Sequence, residues 1–231
     1  SFEGYLGIVR LLLDSGADIN AVNEEGFSAL LAAASNGYLE VVNFLTSRGA
    51  KSEMVEVQNN LLTPENLFGS SREEVDFQDE SSEMKVSEPF YELISAAIEG
   101  RLSVVNQLLA DGAHVNKNDD VGRTALMEAS SFGRYGVVKR LLESGAKVNL
   151  EDNQKMTALM LATLEGRVRV VSLLVDWKAD VNAADAEGVS SLMIAGNEGR
   201  TEIARLLIKH GADINWQSKS GSTALMESAA E

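Results

Sequence analysis

Apolar side chains recur along this chain in two alternating patterns. After Gly133, Val137, Val138, Leu141 and Leu142 fall at i, i+1, i+4 and i+5, which is one broad helical face, and Gly145 stands where a left-handed C-terminal cap is wanted. Before Gly133, Thr124 opens the helix-favouring run Ala125-Leu126-Met127-Glu128-Ala129 and has a hydroxyl able to cap it. The Asn- and Asp-rich stretch that leads into Arg123, with Gly122 inside it, has no apolar period and reads as an extended connection with a tight turn. The predicted unit is helix, turn, helix, protruding turn.

That unit repeats. Glycines fall at 4, 37, 100, 133, 166 and 199, spaced by 33 except for one gap of 63, which is a period plus 30 inserted residues. Gly16, Gly49, Gly112, Gly145 and Gly211 keep the same register, with Lys178 in the place of the missing member. Asn20, Asn116, Asn149, Asn182 and Asn215 form a third series, broken at Glu53. The boundaries follow: a partial repeat 1–22, a repeat 23–52, an insert 53–87, repeats 86–118, 119–151, 152–184 and 185–217, and a partial repeat 218–231. The chain opens at a second helix and stops inside a first one, so each end is expected to expose apolar surface suited to further repeats or a partner.

The unit resembles the ankyrin repeat. The Thr-x-Leu opening (Thr124 and Leu126, Thr157 and Leu159, Thr223 and Leu225), the small residue in the first helix (Ala33, Ala96, Ala129, Ala162, Ala195), the Val-Val-x-x-Leu-Leu helix and the closing Gly-Ala-x-Val/Ile-Asn carry the likeness over all but the insert. Ala125, Ala158, Ser191 and Ala224 replace the proline of that family's opening, and Met127, Met160, Met193 and Met226 replace its histidine, so methionine packing is expected where the histidine would hydrogen-bond. The resemblance implies an all-α solenoid of stacked helix-turn-helix units with β-hairpin-like fingers. It also implies a protein–protein interaction module, adaptor or scaffold, that binds through its fingertips and the concave face of the first helices. On those positions stand Phe27, Val121, Arg123, Met156, Glu187 and Val189 at the tips, and Glu128, Ser131, Phe132, Leu161, Leu164, Glu165, Ile194, Asn197 and Glu198 on the face. Phe132, Leu161, Leu164 and Ile194 would make an apolar strip with an acidic rim, unless the aliphatic three pack between helices instead.

Composition narrows the chemistry. The chain has 231 residues, a formal charge of −15, no cysteine and two histidines, which removes thiolate catalysis and zinc–cysteine sites and leaves little for a histidine-based metal centre. No residue constellation suggests an enzyme, and no cofactor or metal is expected. The charge disfavours nucleic acid and anionic membranes and favours a partner segment that is basic or neutral with apolar anchors. No apolar run is long enough for membrane insertion. These features suit a cytoplasmic protein, with the nucleus as an alternative. Other readings kept open are a structural subunit of a larger assembly and a regulatory domain of a longer channel or enzyme.

Charge is not evenly spread: residues 51–88 hold ten acids and three bases, a net of −7. The stretch lacks the 33-residue signals, and it reads as an elaborated loop partly docked through Leu61, Leu62, Leu67 and Phe68, or as a regulatory segment with Thr63, Ser70 and Ser71 as phosphorylation candidates. Arg101, Arg134, Arg167 and Arg200 each follow an inter-helix glycine, and Glu99, Glu165 and Glu198 precede it in three of the four. This ladder is either a self-paired edge or a docking site for an anion, a partner or the insert. Lys178, in a glycine position, is expected to adopt a left-handed conformation beside Trp177.

Overall fold

The computed structural model describes residues 2–51 and 89–230. Twelve helices occur among them: α1 (Phe2–Asp14), α2 (Ala29–Ser35), α3 (Leu39–Ser47), α4 (Pro89–Glu99), α5 (Leu102–Ala110), α6 (Ala125–Ser131), α7 (Tyr135–Glu143), α8 (Ala158–Leu164), α9 (Val168–Asp176), α10 (Ser191–Asn197), α11 (Thr201–Lys209) and α12 (Ala224–Ala229). The readings of residues 52–88, including Thr63, Ser70, Ser71 and the docking leucines, lie outside the described residues.

Five of the six described first helices begin at a hydroxyl. Ser28, Thr124, Thr157, Ser190 and Thr223 are extended, and each side chain accepts a hydrogen bond from the amide three residues on, at 3.2–3.4 Å. A cap of this kind is worth about 1 kcal/mol, which matters for helices of two turns. Met127 does more than pack. Its Sδ accepts from the Thr124 amide at 3.4 Å, a weak version of the reciprocal bond that a longer polar side chain would make. The second helices bury one apolar stripe, as in Val137, Val138, Leu141 and Leu142 of α7 and Val170, Val171, Leu174 and Val175 of α9. Fingers between units close through single antiparallel bridges: Val22 with Ser28, Asn118 with Thr124, Glu151 with Thr157 and Ala184 with Ser190.

First helices pack on first helices and second on second. In space the first-helix column runs α4, α6, α8, α10, α12, α2, and the second-helix column runs α5, α7, α9, α11, α1, α3. The order in space therefore departs from the order in sequence. C-terminal α12 and N-terminal α1 pack together as one split repeat between α10/α11 and α2/α3. The expectation that both chain ends expose apolar surface is thereby corrected. Ile8, Val9 and Leu12 of α1 and Leu225 and Ala229 of α12 are essentially inaccessible. The physical reason is complementarity: each end is half a repeat, and each half carries the face the other lacks. Among the described residues α2/α3 does not pack on α4/α5, and these two units become the ends of the stack. The helix α1 runs to 13 residues where the other described second helices have nine.

Side-chain ladders confirm this order. Asn116 Nδ2 donates to the Gly145 carbonyl and its Oδ1 accepts from the Lys147 amide. Asn149 treats Lys178 and Asp180 alike, and Asn182 treats Gly211 and Asp213 alike. The next rung crosses the chain ends: Asn215 Nδ2 donates to the Gly16 carbonyl at 3.3 Å, and Oδ1 accepts from the Asp18 amide at 2.8 Å. Asn20 continues it by accepting from the Lys51 amide. The repeat asparagine is thus a clamp between neighbouring units.

Candidate interaction face

The concave side is built from first helices and fingers, and the fingers owe their shape to one residue that the repeat series did not single out. Asn23, Asp119, Asp152 and Asp185 each place Oδ1 on the amides two and four residues ahead, at 2.7–3.1 Å. The tip two residues before the capping hydroxyl is left-handed: Gly26, Gly122, Gly188 and Gly221 supply it, and Lys155 adopts φ 62° in the place of the fifth glycine. The signal was present as a one-member gap in a glycine series. Adjacent fingers are tied by backbone bonds, Asn153 N to Val121 O, Ala186 N to Gln154 O, Lys219 N to Glu187 O and, across the split repeat, Glu24 N to Ser220 O.

On this scaffold the candidate residues separate into three groups. Phe27, Val121, Phe132, Leu164, Glu165 and Glu187 are exposed. Arg123, Ser131, Met156, Val189, Asn197 and Glu198 are half-buried. Leu161, Ile194 and Glu128 are buried, at 3%, 8% and 8% exposure, which shortens the expected strip and its acidic rim. Leu161 packs between neighbouring helices. Glu128 is held by Arg123, whose guanidinium lies 3.1 Å from its carboxylate and 3.5 Å from that of Asp152, so it serves as an internal partner to an arginine. What remains is a shallow open depression lined by Leu164, Val189, Met193, Ile194, Asn197, Glu198 and Glu227. Ile194 and Met193 form its floor, Leu164 one wall, and Glu198 and Glu227 an acidic margin. Phe132 stands one repeat away.

The arginine ladder faces inward along the stack. Arg134 Nε donates to the Ile98 carbonyl at 2.8 Å, Arg167 Nε to Ser131 at 2.9 Å and Arg200 Nη2 to Leu164 at 3.1 Å. Each of these carbonyls is at or next to the C-terminus of the preceding unit's first helix, where a cation and a donor are both favoured. Arg101, Arg167 and Arg200 also pair with Glu99, Glu165 and Glu198 at 2.7, 3.7 and 3.5 Å. Three of the four arginines are therefore staples between repeats, and the ladder as a whole offers no open anion-binding edge. His210 closes α11, its Nδ1 2.8 Å from the Leu206 carbonyl.

Sequence comparison agrees with the architecture. Family models of ankyrin repeats match residues 1–46, 93–185 and 178–231. The chain belongs to the ankyrin repeat family. A 50-residue stretch, 22% of the chain, is 42% identical to the Notch-regulated ankyrin repeat-containing protein A of Danio rerio and covers 45% of that protein, less than half its length. Ankyrin repeats are generally protein–protein interaction modules and are typically not enzymes. Among the described residues no cluster of three or more His, Asp or Glu side chains is placed to hold a metal ion, and no helix is long and apolar enough to cross a membrane.

Proposed function

We propose that this ankyrin array acts as an adaptor that binds a protein segment along its concave face, with apolar anchors seated between Phe132 and the Leu164–Ile194 depression and the fingertips Phe27, Val121, Met156, Glu187 and Val189 contacting its flanks. The observation that carries the reading is that depression, in which apolar side chains are held half-open by buried neighbours and bordered by Glu198 and Glu227. Apolar anchors inside a charged margin are what interfaces ordinarily use, and a stacked scaffold loses little entropy on binding. Glu165 and Glu198 share their charge with Arg167 and Arg200, and the net charge of −15 disfavours an acidic segment, so the partner is basic or neutral. The test is capture of partners by the full chain against the double variant Phe132→Asp/Leu164→Asp, both sites being exposed enough to change without unfolding. Loss of the captured set by roughly tenfold or more is expected. A Lys139→Glu variant on the second-helix side should capture normally. Equal capture by all three proteins would exclude the concave face.

A further inference from the structure

The interlock between units is made at four successive junctions inside the stack and half-made at each end. Inside, the residue after an inter-helix glycine lies across the glycine of the preceding unit. Arg134 covers Gly100, Arg167 covers Gly133, Arg200 covers Gly166 and Tyr5 covers Gly199, each within 2.9–3.2 Å of where a Cβ would stand. At the α2/α3 end no described residue fills the corresponding seat within 4 Å of the Gly37 position. The Ser35 carbonyl stands where Ile98, Ser131 and Leu164 each take an arginine. At the α4/α5 end the matching plug is unused. Among the described residues Arg101 has no preceding unit to cover, and its guanidinium rests on Glu99 at 2.7 Å with half of the side chain exposed.

A second contact is split in the same way. The residue two after the glycine meets the third position of the next unit, as Leu102 meets Gly136 and Thr201 meets Gly7, both near 3.7 Å. Its counterpart at the open end, Leu39, is 71% exposed, and the site that would receive it, Ser103, is exposed at the other end.

Each end therefore lacks what the other end of the same molecule carries. They cannot meet within one chain, because four units, at about 10 Å each, stand between them. We infer that the partner for these ends is a second copy of this chain, stacked head to tail, with Arg101 of one copy over Gly37 and on the Ser35 carbonyl of the next, and Leu39 against Ser103. The contact continues the internal inter-repeat interface. Being heterologous, it builds open chains or rings instead of a closed two-fold dimer.

Two variants separate the faces. Leu39→Glu spoils the α2/α3 face and Arg101→Glu the α4/α5 face, and both sites are exposed enough to leave folding intact. Sedimentation of the full chain from micromolar to several hundred micromolar, at about 0.15 M salt to screen the net acidic charge, should show mass rising with concentration. Each variant alone should associate roughly tenfold or more weakly. Mixed together, they should form a one-to-one pair that grows no further, because each retains the face that the other has lost. Three results would overturn the inference: a wild-type chain that stays monomeric throughout, variants that associate as the wild type does, or variants that fail to pair on mixing. A monomer in which Leu39 and its helix are protected from hydrogen exchange would instead place residues 52–88 of the same chain on that face, and would equally overturn it.

Discussion

Two lysines in this molecule hold backbone conformations that an L-residue enters at a cost. Lys178 has φ 67° at the end of α9, where its amide reaches the Val175 carbonyl and the next amide reaches Leu174, the bonding that elsewhere closes on glycine. The outlier was legible, since a 33-residue glycine series broke at that position. Lys155 at a fingertip, φ 62°, is the same substitution in a series of less conspicuous glycines. Lys178→Gly relieves about 1 kcal/mol of strain and returns part of it as extra freedom in the unfolded chain. The expected outcome in urea is an unchanged or higher midpoint, and a clearly lower midpoint would mean that the lysine side chain contributes something beyond its backbone angle. Ser191 carries a different local conflict. It occupies the small-residue position after the cap, which is alanine in the four other first helices that begin with a hydroxyl cap, and its hydroxyl is buried without a hydrogen-bond partner. Ser191→Ala should raise stability by about 1 kcal/mol by removing that unmet demand. Calorimetry showing no gain would indicate that the hydroxyl finds an acceptor in solution.

The helices and their caps were readable because the forces that make them are local: a hydroxyl three residues before an amide, apolar side chains at one face, a glycine at the stop. What could not be read is what lies between units. The asparagine series marks a recurring residue without its partner: bonding within the finger falls to Asp119, Asp152, Asp185 and Asn23, while Asn149 reaches 29 and 31 residues ahead. Periodicity shows that a residue recurs and does not show which neighbour it faces. Glu128 was misplaced for the same reason: its position in the helix is exposed by pattern, yet Arg123 and Asp152, one from its own finger and one from the next, close over it. Gly196 likewise gave no sign in sequence that a Cβ there would lie 2.7 Å from the Ala224 carbonyl of α12. Asn149→Ala removes both bonds of one clamp in the middle of the stack. A loss of about 1–2 kcal/mol is expected, together with a broader urea transition as the two sides begin to unfold separately. A loss of only a few tenths with an unchanged slope would mean that water replaces the clamp at these exposed sites.

In a stack of repeats each unit touches only its neighbours, so a defect at one end should fade with distance along the array. The split repeat changes which residues are near. Leu12 in α1 is fully buried and lies in the column between α11 and α3, while α12, more than 200 residues away in sequence, supplies the other half of its unit. The bond Asn215 to Gly16 holds that unit to α10/α11, and the bonds Glu24 to Ser220 and Asn36 to Ala230 hold it to α2/α3. Repeat counting alone placed these two helices at opposite ends, because an array read in sequence order has no reason to close on itself. Leu12→Ala should remove about 2–5 kcal/mol from the unit that contains it. Hydrogen exchange should then accelerate in residues 223–230 as much as in residues 5–20, and less in α8 and α9, with α4 and α5 least affected. The last comparison is decisive. A chain stacked in sequence order would carry the disturbance from α1 through α2 and α3 and leave α12 as protected as before.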